Sequence, residues 1–408
     1  MRRIVGRIAA LVLLAVLCVQ GCSAEPSKEK RNTPTSVPSA PDDGNREYAL
    51  PDSPFTREDT VITATCGSAS GGVGVLVQAW DAERWEPRGQ RYFRLPDDVA
   101  LANFPKMKAV NSPLVDLCAM MPTEPSPYGV DDLEYMSPRV RALFDLAFTR
   151  MAVVFRDPDG KSTHAGFLES GTGSDDSVRL SRATGDDEQN AVMSPDGRSV
   201  WFTYTDSDGE YRIGSRPAEG DHGVSDEGPA AGHDLPLVVS GKPPHAVQAN
   251  MVHLAPDGRR LTATAPKVFG HVFDTPDSSG PLTESSAHSA TLLSGCVGIL
   301  GWIGDEQVLC RGQSGSFRAV DARSGRVEGA EIPVVHPSEI NANPMIAEGM
   351  LVSTDGMRFI VAVHLPNDRY GHWSDGTDFR AVPTSGEGKA TRIVHESLTN
   401  RTLFLEWR

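Results

Sequence analysis

The chain lacks most of the features that would place it in a familiar functional class. Past residue 18 no apolar stretch is long enough to cross a bilayer, which takes about 20 residues. Positive charge is in short supply, with 39 Lys and Arg against 54 Asp and Glu for a net charge of −15. A surface this acidic is repelled by phosphates and by anionic headgroups, which excludes nucleic acid and a charged lipid surface as partners. No Gly-x-Ser-x-Gly pentad occurs, so the serine elbow of an α/β-hydrolase is missing. His-Glu-x-x-His is absent, as are the P-loop and a Gly-x-Gly-x-x-Gly run before a helix. Catalytic residues, cofactor and metal are therefore all expected to be none. Long helical periodicity is almost absent as well.

What the sequence does carry begins at its first residues. Arg2, Arg3 and Arg7 precede an apolar run from Ile8 to Cys18, and Val19-Gln20-Gly21-Cys22 closes the segment. A cationic leader, a short apolar stretch and a small residue before a cut site form a secretory signal. The segment resembles a bacterial lipoprotein signal, although Gln20 is a less usual occupant of the middle lipobox position. The resemblance implies that residues 1–21 are removed and that Cys22 carries lipid (palmitate among its acyl chains). It also implies an extracytoplasmic protein anchored to the cell membrane at that residue. Several acyl chains together hold far better than one. Removing the signal takes three arginines and no acid, moving the net charge from −15 to −18. Residues 22–54 follow as a Ser/Thr/Pro-rich stretch that cannot bury enough surface to offset its ordering entropy, so a disordered tether is expected there.

Cys18 leaves with the signal and Cys22 is taken by lipid, which leaves Cys66, Cys118, Cys296 and Cys310. Four cysteines allow three pairings. Cys296 and Cys310 flank two apolar segments around Gly304-Asp305, and folding these as a hairpin sets the two cysteines roughly opposite each other. Cys66–Cys118 follows by elimination. Zinc is the rival reading, but no Cys-x-x-Cys or His-x-x-x-His spacing accompanies these residues. Two disulfides suit an oxidising compartment.

From residue 55 to 408 the chain reads as short strands separated by Asp, Gly, Pro and Asn clusters, and these strands repeat. Met193-Ser194-Pro195-Asp196-Gly197-Arg198 has siblings in Leu254-Ala255-Pro256-Asp257-Gly258-Arg259 and Val352-Ser353-Thr354-Asp355-Gly356-Met357. Diverged copies begin at Phe144 and Leu300. With Arg150, Arg198, Arg259, Glu306 and Met357 aligned, the steps are 48, 61, 47 and 51 residues. A recurrence of about 50 in an all-strand chain predicts radial repetition, one four-stranded sheet per repeat. Pro presets the first corner of each turn, Asp bonds the backbone just ahead and Gly takes a positive φ. Second turns at Asp157-Pro158-Asp159-Gly160 and Asp206-Ser207-Asp208-Gly209 lead into partner strands. The units resemble the repeats of TolB-type β-propellers, related in architecture to the WD-repeat family. The expectation is an all-β propeller of about six to seven four-stranded blades. Residues 60–122 supply one blade or two, and Thr402–Trp407 closes the ring. Ser137–Asp145 is the one helical segment, with Ser137 capping and Pro138 in its first turn.

Chemistry is thinner. The Asp-x-Asp-Gly pairs lack the further ligands of a calcium loop and read as tight turns. Propellers bring distant repeats to a central channel, so His164, His253 and His364 could converge there with acidic residues. Trp201, Trp302 and Trp373 read as packing residues before sugar platforms. The loops Pro217–Pro236 and Pro276–Ser289 are candidate binding segments. The expected function is a non-enzymatic binding or scaffold protein at the cell envelope, its partner a protein or envelope ligand on the propeller face. The alternative is a glycan- or peptide-active enzyme with a His/acid site in the channel. The chain ends at the expected closing strand, so no hydrolase domain is expected to follow.

Overall fold

The computed structural model describes residues 53–69, 72–101, 112–119, 133–157, 162–171, 178–179, 187–232, 234–238, 245–247, 253–263, 270–275, 277, 280–282, 291–312, 316–334, 346–364, 378–399 and 401–408. Cys22, the signal segment and all but the last two residues of the expected tether lie outside them.

Strands β1 (Thr60–Ala69), β2 (Gly72–Asp81) and β3 (Pro87–Arg94) begin the first blade. A helical insertion follows, α1 (Pro113–Ala119) and α2 (Leu133–Arg141). The second blade holds β4 (Arg150–Arg156), β5 (Thr163–Glu169) and β6 (Val178–Arg179). The third holds β7 (Gln189–Met193), β8 (Ser199–Thr205), β9 (Tyr211–Pro217) and β10 (Ser225–Pro229). Next come β11 (Leu235–Leu237) and β12 (His245–Val247), then β13 (His253–Leu254), β14 (Arg260–Ala263) and β15 (His271–Asp274) of the fourth blade. After β16 (Gly280–Leu282), β17 (Thr291–Leu292) completes that blade. The fifth is β18 (Cys296–Ile303), β19 (Gln307–Gly312), β20 (Phe317–Asp321) and β21 (Val327–Ile332). The sixth is β22 (Ile346–Val352), β23 (Arg358–His364), β24 (Asp378–Pro383) and β25 (Thr391–Ile393), and β26 (Leu403–Trp407) ends the chain. The result is a six-bladed β-propeller.

The turn chemistry read from the repeats builds the inner hairpins of the third, fourth and sixth blades. In the third blade the Ser194 hydroxyl donates to Asp196 Oδ1 at 2.6 Å and accepts from Ser199 N at 2.9 Å, while Arg198 N donates to Asp196 Oδ1 at 3.0 Å. Ser353, Asp355, Met357 and Arg358 repeat this pattern in the sixth blade at 2.6, 2.9 and 3.0 Å. Gly197, Gly258 and Gly356 all take the left-handed conformation, with φ of +69°, +69° and +70°, which a side chain resists. The second-blade copy has no such glycine. There Asp145 accepts from Thr149 N at 2.7 Å and Arg150 N at 3.2 Å, so one carboxylate performs the same turn. Strands β8, β14, β19 and β23, which follow these turns, each pair with a strand on both sides, whereas among the described residues β4 pairs with β5 alone.

Closure comes from β26, which pairs antiparallel with β1 and so supplies the inner strand of the first blade. One blade, not two, therefore comes from residues 60–122. The seventh-blade option fails because residues 113–119 and 133–141 go into helices. Bonds between blades complete the ring: Leu146 N to Pro195 O at 2.9 Å, Thr354 N to Trp407 O at 2.8 Å, and Arg408 Nη2 to Leu146 O at 2.7 Å. Asp257 N donates to Asp305 Oδ1 at 2.9 Å between the fourth and fifth blades.

Three departures from the four-strand expectation have local causes. Among the described residues the second blade has three strands, and its inner edge is reduced to a bridge between Phe144 and Met151. The 61-residue step contains β11 and β12, which join β16 in a small extra sheet whose β12–β16 pair is parallel. The helix runs over Leu133–Arg141, four residues earlier than expected, so Ser137 is no cap and Pro138 lies inside it. In a helix this short the missing proline N–H removes a single bond, to the carbonyl of residue 134.

Candidate functional site

Each blade turns its inner edge to the axis, and the six edges border a partly open chamber of about 500 Å³. Phe144 and Leu146 line it from the second blade, Val192 and Met193 from the third, and His253 and Leu254 from the fourth. Leu300–Trp302, Met350–Val352, and Leu405 with Glu406 contribute from the fifth, sixth and first blades. Leu235–Val238 and the face of α2 bearing Ser137, Arg139 and Arg141 complete the wall. Inner strands of a propeller are flanked by neighbours on both sides, so their sequences are apolar, and the chamber inherits that character. Helix α2 packs against β18, β22 and β26. Ion pairing of Arg139 with Asp116 of α1 at 2.9 Å, and the Cys66–Cys118 disulfide between β1 and α1, hold the insertion in place.

The charged groups in the wall are already engaged. Glu406 Oε2 accepts from Arg141 Nε at 2.5 Å and Oε1 from Arg408 Nε at 2.6 Å. Burial alone would raise the Glu406 pKa, but the two guanidinium groups outweigh it and hold the carboxylate below its ordinary range. Arg141 also donates to the Phe144 carbonyl at 2.8 Å and lies 4.4 Å from the centroid of the Phe148 ring. Burial pushes His253 down to about 4, against a hydrogen bond to the Ile299 backbone that acts the other way, so its ring is neutral at pH 7. Among the described residues, three polar atoms of lining residues have no hydrogen-bond partner: His253 Nε2, the hydroxyl of Ser137 and Nε of Arg139, whose Nη1 is paired with Asp116.

Of the histidines whose convergence the sequence left open, His164 and His253 do not meet. His164 is on β5, away from the axis, and its Nδ1 meets Asp157 at 2.9 Å. His364 is on β23, second from the axis, and its side chain lies outside the described residues. Of the two whose side chains are described, His253 lines the chamber and His164 does not. Among the described residues no group of three or more His, Cys, Asp or Glu could hold a metal ion.

Trp201 packs against the cluster of Val192 and Leu235, and Trp302 donates from Nε1 to the His253 carbonyl at 2.9 Å; Trp373 lies outside the described residues. At Asp206–Gly209, Asp206 Oδ1 accepts from Asp208 N at 3.0 Å and Glu210 N at 2.9 Å, the bonding of a tight turn. Residues 158–160 lie outside the described set. The Pro217–Pro236 segment contains β10 and part of β11, so much of it is blade structure. Of Pro276–Ser289, β16 is described along with Asp277, and the remainder is not. A second disulfide joins Cys296 and Cys310 across β18 and β19.

Two features had no signal in the sequence. Arg141 meets Glu406 across 265 positions of chain. Arg216 and Glu188 form a fully buried pair, with Nη1–Oε2 and Nη2–Oε1 both at 2.5 Å. Glu188 also accepts from Ala165 N of the second blade at 2.8 Å, so the pair ties that blade to the third.

No protein-family model and no curated protein matches the sequence. Among solved structures, a prolyl endopeptidase is similar at 10% identity and a TM-score of 0.38, over 83% of this chain and 50% of its own. This chain thus spans about half the length of that enzyme. An oligogalacturonate lyase solved with manganese is similar at 10% identity and 0.35, over 82% of this chain and 74% of its own. TolB from Acinetobacter baumannii is similar at 12% identity and 0.29, over 85% and 83%. Likeness at this level says nothing of the chemistry of the chamber.

Proposed function

We propose that this chain is a lipid-anchored extracytoplasmic propeller that binds a cell-envelope ligand without transforming it. The observation that carries the reading is the state of the chamber's ionisable groups. Glu406 is held by Arg141 and Arg408, Arg139 by Asp116, and the neutral His253 ring is hydrogen-bonded to the backbone of Ile299. General acid–base work needs a group within hydrogen-bond reach of substrate and free to exchange its proton. An apolar wall with its charges already paired suits retention of a ligand better than its cleavage.

The envelope location rests on the lipobox-like segment ending at Cys22 and on the two disulfides, which persist in oxidising compartments. Labelling intact cells with palmitate checks the anchor: incorporation is expected in the native chain and none with Cys22→Ala. Capture with the full chain from envelope extracts, followed by mass spectrometry of the ligand before and after long incubation, checks the rest. An unchanged ligand is expected. Progressive cleavage of a glycan or peptide would instead establish the enzymatic alternative.

A further inference from the structure

We propose that the axial chamber binds an uncharged amphiphile, a small molecule with an apolar body and a hydroxyl group that pairs with His253 and Ser137. This rests on the binding reading above and names the chemical class of its ligand. The chamber, at about 500 Å³, lies within the range of roughly 300–1,000 Å³ that small-molecule sites occupy. Its wall is apolar over most of its extent, with Leu254, Leu300, Met350 and Leu405 among the lining side chains.

The polar groups define the rest. Ser137 is only 2% exposed and its hydroxyl has no partner; His253 Nε2 has none either. The two residues line the chamber from different elements, Ser137 from α2 and His253 from β13. A buried polar atom left unpaired is destabilising, and a ligand hydroxyl that pairs with it relieves that cost. Neutral imidazole Nε2 accepts such a hydroxyl, and the serine can donate or accept.

Charge on the ligand is disfavoured in both directions. An anion would have to displace Glu406 from Arg141, and a cation would have to displace Arg141 from Glu406. A glycan brings more hydroxyls than the wall can satisfy, and each unpaired one costs free energy on burial.

The test uses the full chain with Cys22→Ser, so that no lipid or detergent is needed. N-phenyl-1-naphthylamine reports occupancy by fluorescence at pH 7, and 1-decanol, decyl methyl ether, decanoate and decylamine compete with it. Decanol is expected to displace the probe at a concentration at least tenfold below those of decanoate and decylamine. It is also expected to outcompete the ether, which cannot donate, and to lose that advantage in His253→Phe. Leu351→Trp, which fills the chamber from β22, is expected to abolish most probe binding. Leu237→Trp fills it from β11 and serves where the first variant does not fold by circular dichroism.

Equal displacement by charged and neutral competitors overturns the ligand class while leaving the binding reading in place. Probe binding undiminished in a folded tryptophan variant overturns the chamber as the site, and assigns the signal to the apolar leader or the outer surface. No displaceable probe at all means the chamber holds water only, which also overturns the proposal. Conversion of a captured envelope ligand, by contrast, sinks the binding reading whatever the competition series shows.

Discussion

At Gly356 the backbone sits at φ +70°, and a Cβ there would lie 3.0 Å from Ile303 Cγ2 and 3.2 Å from Ile303 Cα. The turn glycine is thus a contact between the fifth and sixth blades as well as a source of conformational freedom. Gly209, in an outer turn, has φ +82°, and a Cβ added there would meet nothing within 4 Å. Gly356→Ala is therefore expected to cost roughly 2–4 kcal/mol and Gly209→Ala only about 1 kcal/mol, read from urea unfolding midpoints. His253 gives a second prediction at this scale. Its folded pKa of about 4 lies below the unfolded value of 6.5, so the unfolded chain binds the proton first as pH falls. The contribution is complete above pH 6.5 and is lost as pH drops towards 4. By pH 5 the loss is about 2 kcal/mol. The drop in urea midpoint between pH 7 and pH 5 is expected to shrink in His253→Gln.

At the scale of elements, the repeated Ser-Pro-Asp-Gly units were legible because a turn is a local object. Its proline, carboxylate and glycine act within a few residues, so the sequence carries the whole mechanism. The Asp145 turn was legible for the same reason, although its glycine is gone. Helix α2 was less so: its position is set by packing on β18, β22 and β26 and by ties through α1, none of which is local. The Glu188–Arg216 pair belongs to the same category, because Glu188 precedes β7, Arg216 is on β9, and Ala165 is on another blade. Arg216→Met is expected to cost about 3–5 kcal/mol by stranding a buried carboxylate. The double change Arg216→Met with Glu188→Leu is expected to recover most of that loss, since a well-packed apolar pair replaces a desolvated ionic one. If the double variant unfolds as readily as the single, the pair's backbone bonds to the second blade matter more than its charge.

Over the whole molecule, the ring depends on its last strand. Phe404 and Leu405 are buried, β26 fills the inner position of the first blade, and Thr354 and Leu146 bond to the residues that end it. Removing residues 403–408 leaves the inner edge of β1 unpaired, and an unpaired apolar edge invites association. The truncated chain is expected to elute as large aggregates in size-exclusion chromatography and to lose its single cooperative unfolding transition. A monodisperse, cooperatively folding product would show that the other blades close the ring without it. The chamber belongs to this scale too. Its wall draws on five inner strands, the segment of Phe144 and Leu146, a helix and β11, spread from Ser137 to Glu406, and no spacing in the chain announces that set.

The sequence by itself determined the strand-and-turn grammar: where each inner hairpin bends, which glycines take positive φ, and that the units recur about every 50 residues. Such properties depend on neighbours a few positions apart. Tertiary structure alone decided that there are six blades, that one inner edge gives way to a helix beside the axis, and that Arg141 faces Glu406 while His164 points elsewhere. These outcomes depend on which strands meet after the ring closes, and closure joins residues hundreds of positions apart whose pairing has no trace in local pattern.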